Sequence, residues 1–96
     1  MADVNVSLQV LPAVPDECIY DVVDKVIELI DQSGVKYEVG PMETTMEGDL
    51  GFLLEIVKKA QDVCIKEGAE RVVSIVKIDY KAEGVTMDEK IGKYGR

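Results

Sequence analysis

The spacing of apolar residues changes period along this chain, and each change marks an element. Residues 3–11, DVNVSLQVL, alternate strictly. Val4, Val6, Leu8 and Val10 point one way and Asn5, Ser7 and Gln9 the other, so a strand is expected. PAVPDE follows, and its prolines stop the strand. From Asp16 the period becomes helical: Ile19, Val22, Val23, Val26, Ile27 and Ile30 form one stripe. Asp16 and Glu17 stand in the first turn, where they suit the helix dipole. Ser33-Gly34 ends the helix, with Gly34 fitted to a left-handed cap. Residues 35–40, VKYEVG, alternate again, with Val35, Tyr37 and Val39 on one side. Gly40-Pro41 interrupts, and ETTMEGD at 43–49 gives a weaker strand. Leu50 to Glu67 returns to helical spacing through Leu53, Ile56, Val57, Ala60, Val63 and Cys64, with Gly68 as its cap. Residues 70–80, ERVVSIVKIDY, are the most strand-like segment. A tail at about 85–96 holds one short helix, with Thr86 as its cap ahead of Met87-Asp88-Glu89.

The order β-α-β-β-α-β predicts an α+β sandwich of the split βαβ kind. A four-stranded antiparallel sheet carries both helices on one face. The chain, residues 1–96, reads as a single domain. Val4, Val6, Leu8 and Val10 are expected to face the helices, leaving Asn5, Ser7 and Gln9 on the open face. The last strand is apolar on both sides: Val72, Val76 and Ile78 on one, Val73 and Ile75 on the other. Strands of that kind are usually buried on both faces. The open face therefore calls for a cover, and a second copy of the chain is the simplest.

Composition narrows the function. The net charge of −8 opposes binding to nucleic acid, which needs Lys and Arg at phosphates. The strands expected at the sheet centre carry no aromatic residue on which a base would stack. No apolar run approaches the ~20 residues of a membrane span. The start, MADVNVSLQV, lacks the basic region and apolar block of a signal peptide, so a cytoplasmic protein is expected. Cys18 and Cys64 are far apart, form no CxxC pair and read as free thiols.

Catalytic chemistry finds little support. Histidine is absent, and with it the commonest general base and a leading zinc ligand. No nucleophile elbow, phosphate loop or dinucleotide fingerprint is present. Cys64 sits on a core stripe, and Cys18 has no base partner, so no catalytic residue is assigned and a non-enzyme is expected. Carboxylates remain. Glu38, Glu43, Glu47 and Asp49 surround the middle hairpin, but their spacing matches no calcium loop, and no metal site is assigned. With the Tyr37 ring, the threonines, and Asn5, Ser7 and Gln9 nearby if the first strand neighbours the third, the set suits a polar heteroaromatic bearing an amine or a positive charge.

The strand VSLQVLP, the stretch SGVKYEVGPMETTMEGD and the strand RVVSIVKIDYK together resemble the small thiamine-binding protein family, the YkoF-like group. The resemblance covers nearly the whole chain and is most specific from Tyr37 to Gly48. It implies a ferredoxin-like fold and dimers joined through their sheets, often paired into a homotetramer, a dimer of dimers. It also implies binding of thiamine or its hydroxymethylpyrimidine part in some members; no cofactor is assigned beyond that possible ligand. The motif falls on Tyr37, Pro41, Thr44, Glu47 and Gly48. Pro41 and Gly48 shape backbone, while Tyr37, Thr44 and Glu47 are the implied ligand contacts. Strand parity adds Ser7 and Gln9. Two readings stay open: a ligand site at the hairpin, or a regulatory or structural homo-oligomer that acts through protein or ion contacts without thiamine.

Overall fold

In the computed structural model, which describes residues 3–94, the alternating segment that opens the chain forms β1, Val4–Pro12. It runs up the middle of the sheet. The strand order is β2-β3-β1-β4, with β2 at Lys36–Val39, β3 at Thr44–Gly48 and β4 at Val72–Asp79, and all neighbours are antiparallel. Helices α1, Ile19–Gln32, and α2, Leu50–Lys66, cover one face. This is the ferredoxin-like split βαβ arrangement. Val4, Val6, Leu8 and Val10 from β1 and Met46 from β3 meet Val22, Val26 and Ile30 of α1 and Leu53, Ile56, Ala60 and Cys64 of α2 in one core. Both cysteines are free thiols, Cys18 half-buried and Cys64 buried.

The helix boundaries follow their caps. Asp49, expected as the end of a strand, instead caps α2, accepting the Phe52 N–H at 3.1 Å. The first helix was expected from Asp16. Residues Asp16–Cys18 form a single 3-10 turn, and α1 starts at Ile19. Pro15 precedes the turn and offers no side-chain oxygen, so the first N–H groups are met by tighter backbone bonding, Cys18 N–H to Pro15 O at 2.8 Å. Gly34 takes φ +83° after α1, the left-handed conformation expected of it.

The larger departure concerns the open face, which the chain itself covers in part. After β4, Gly84 (φ +104°) reverses the chain, and the Val85 N–H donates to Asp3 O at 2.9 Å. Helix α3, Met87–Ile91, then lies over the sheet, with Val85 and Met87 buried. Thr86 caps it as expected, in a full capping box: Thr86 Oγ1 accepts from Glu89 N–H, and the Glu89 carboxylate accepts from Thr86 N–H. The last two residues of the expected segment 85–96 lie outside the described residues. Among the described residues no helix is long and apolar enough to cross a membrane.

Candidate functional site

Antiparallel register sorts the strand residues between the two faces. Ser7 stands opposite Thr45 on β3 and Lys77 on β4, and Thr45 stands opposite Glu38 on β2. Side chains directly opposite share a face. The open face therefore carries one row running Glu38, Thr45, Ser7, Lys77. The row beside it runs Lys36, Glu47, Asn5, Asp79.

These rows have different partners. The second is tied to α3. Glu47 Oε1 accepts the Met87 N–H at 2.6 Å. Lys36 donates to Asp88 at 2.8 Å, with Glu47 at 3.9 Å on its other side. The Asp88 hydrogen bond, reinforced by the charge of Glu47, holds the Lys36 ammonium above its ordinary pKa. Lys90 donates to Asn5 Oδ1 at 2.8 Å and pairs with Asp79. Asn5 is 4% exposed although it lies on the face away from α1 and α2, because α3 buries it.

The first row forms the floor of a cavity of about 560 Å³. Gly40, Pro41 and Glu43 of the β2–β3 turn wall one side, and Met87, Lys90 and Ile91 of α3 close an end. Ser7, Thr45 and Lys77 show no side-chain hydrogen bond or ion pair among the described residues. The site thus offers two hydroxyls, carboxylates at the hairpin end and an ammonium on β4, over a partly apolar wall. That set can seat a polar ring and donate to or accept from it. Among the described residues no cluster of three or more His, Cys, Asp or Glu side chains could hold a metal ion.

The five residues singled out in the sequence are divided by the fold. Ser7 lines the cavity. Gln9 lies two residues further along the same face, opposite Ile75. Glu47 borders the site, but its carboxylate serves α3 and Lys36. Tyr37 and Thr44 belong to the helix-covered face, opposite Met46 and Leu8 respectively. Thr44 is buried, and the Tyr37 hydroxyl donates to Asp31 at the end of α1 at 2.8 Å. That bond raises the phenol's pKa, because the proton is shared with a carboxylate. In the Thr44-Thr45 pair one residue must face each side of the strand, and it is Thr45 that reaches the cavity. Parity against Tyr37 in VKYEV would have found Glu38. Helix α3 was marked by its Thr86 cap, but its place as a wall of the cavity was not, since that depends on a turn at Gly84.

Comparison with known proteins agrees with this fold. The family model described as "Thiamine-binding protein" matches residues 6–95. A UPF0045 protein of Clostridium perfringens is 72% identical over 90 residues, 94% of this chain and 95% of the relative. A solved domain of unknown function from Bacillus cereus superposes with a TM-score of 0.90 at 51% identity, covering 97% of this chain and 90% of that one. A Thermotoga maritima structure, named as a proposed thiamine biosynthesis/salvage protein, gives a TM-score of 0.89 at 43% identity, with 96% and 98% covered.

Proposed function

Starting from a chain that belongs to the thiamine-binding protein family, we propose that it is a cytoplasmic, non-enzymatic binder of thiamine or its hydroxymethylpyrimidine part. The observation that carries this reading is the cavity over Ser7 and Thr45, with Glu38 and Glu43 at its hairpin end. An aminopyrimidine offers ring nitrogens to hydroxyl donors and an exocyclic amine to carboxylates, and a neighbouring positive ring is favoured by the same acids. Calorimetric titration with thiamine and with hydroxymethylpyrimidine tests it. Saturable heat is expected from at least one, and Glu43→Gln weakens it by roughly tenfold through loss of one charge-assisted contact. Tyr37→Phe leaves it unchanged, because that ring lies on the other face. If neither compound gives heat, the reading is wrong.

The protein is further proposed to work as a homo-oligomer, a dimer or a dimer of dimers, joined through the open sheet face and the edge of β4. This edge strand exposes Val73, Ile75 and Ile78 to about half their full area, on both faces of the sheet (50, 49 and 49%). Apolar area of that kind favours a matching copy. The same observation favours the second reading, an assembly that acts through interaction without a ligand. Native mass spectrometry separates the two. A multimer carrying a small-molecule mass supports the binder, whereas a monomer at micromolar concentration removes both assemblies.

A further inference from the structure

The floor of the cavity is electrically polarised. Glu38 stands at one end of its row and Lys77 at the other, with the hydroxyls of Thr45 and Ser7 between them. At ~4.8 Å per strand spacing the outer Cα positions are roughly 14 Å apart, longer than one aromatic ring. Glu43 adds a second carboxylate from the β2–β3 turn. On the β4 side the charges are unequal in availability. Lys90 and Asp79 are paired with each other, and Lys90 is held again by Asn5, so that pair adds little net field. Lys77 has no such partner among the described residues, and its side chain lines the cavity.

A purely cationic ligand spanning this row would put its positive charge toward the carboxylates and leave an ammonium facing its far end unmatched. We infer that the cavity takes an amphoteric ligand: an amine-bearing or cationic heteroaromatic ring at the Glu38–Glu43 end, joined to a phosphoester that is met by Lys77. The inference rests on the proposed function and extends it from the ring to the phosphorylation state of the ligand. Lys77 is the residue that sets this preference. Ser7, its cross-strand neighbour, is placed to donate a hydroxyl proton to the same anion.

The test is calorimetry on the full chain at low salt, with thiamine and with thiamine monophosphate, for the natural protein and for Lys77→Met. Methionine keeps the aliphatic stem and removes the charge, and the position is exposed on an edge strand, so folding is retained and is checked by circular dichroism. The monophosphate is expected to bind about three- to tenfold tighter than thiamine, an advantage that shrinks with added salt. Lys77→Met abolishes that advantage, so that the variant binds the two ligands equally. Thiamine binding with no phosphate advantage, or an advantage that survives in Lys77→Met, overturns this inference alone. No heat from either ligand overturns the proposed function together with it.

Discussion

The two faces of this sheet are built on opposite principles. The face under α1 and α2 is closed by shape: Val4, Val6, Met46, Ile30 and Leu53 are almost wholly buried within one core cluster. The other face is covered only in part, by a five-residue helix that buries Met87 and is held by polar contacts through Glu47, Lys36, Asn5 and Lys90. The first arrangement is non-directional and strong in aggregate, since burying apolar area contributes about 25 cal/mol per Å². The second is directional, and its exposed ion pairs contribute little each. Stability is thus concentrated on one face, and a cavity persists on the other.

Thiol chemistry would break the comparison most sharply. Cys64 lies on the buried side of α2 and burial pushes its thiol pKa up, so thiolate is scarce there at neutral pH. Its alkylation in the native protein is expected to be at least ~1,000-fold slower than in the unfolded chain, following a global opening of several kcal/mol. Mass-resolved labelling with and without urea checks this. Rapid native labelling would mean that the covered face opens easily. Next in size, Leu53→Ala should cost about 3 kcal/mol in a urea unfolding curve, the usual loss for a buried leucine with partial collapse of the cavity.

Effects on the other face should be smaller and local. Thr86→Ala removes the hydroxyl of the capping box and is expected to cost about 1 kcal/mol. Hydrogen exchange should show that loss within residues 85–91 and not in β1. Smallest of all, Lys36→Met should leave the unfolding midpoint unmoved while weakening the hold on α3. The sign of its pH dependence is fixed. The ammonium is held above its ordinary value of 10.5, so its contribution is complete below that pH and is lost as pH rises through the higher folded value. In an alkaline NMR titration the Met87 methyl signal should therefore shift before that of Leu53. Simultaneous shifts would show that the two faces open as one.

Much of this was written in local pattern. The alternation of VNVSLQV, the helical stripes and the Thr86 cap each depend on neighbours within a turn or on the pleat of one strand. Sequence spacing is enough to specify them. The family motif from Tyr37 to Gly48 likewise marked the hairpin that walls the cavity. The site itself was less legible. Glu47 carries the acid of the motif, yet its carboxylate anchors α3. Thr45 reaches the cavity while its neighbour Thr44 turns into the core.

By itself the sequence determined which segments become strands and helices, which face of each is apolar, and hence the sandwich. Those features arise from periodicity, which is a property of residues close together in the chain. Tertiary structure alone decided that Ser7 and Thr45 meet between Glu38 and Lys77, and that residues 85–91 fold back over Asn5 and Glu47. Strand order, register and the return of the tail bring together residues up to 85 positions apart, as in the bond from Lys90 to Asn5. No local period encodes such a pairing; register is set by which strand faces are buried together and by the turns that join them, across the whole chain.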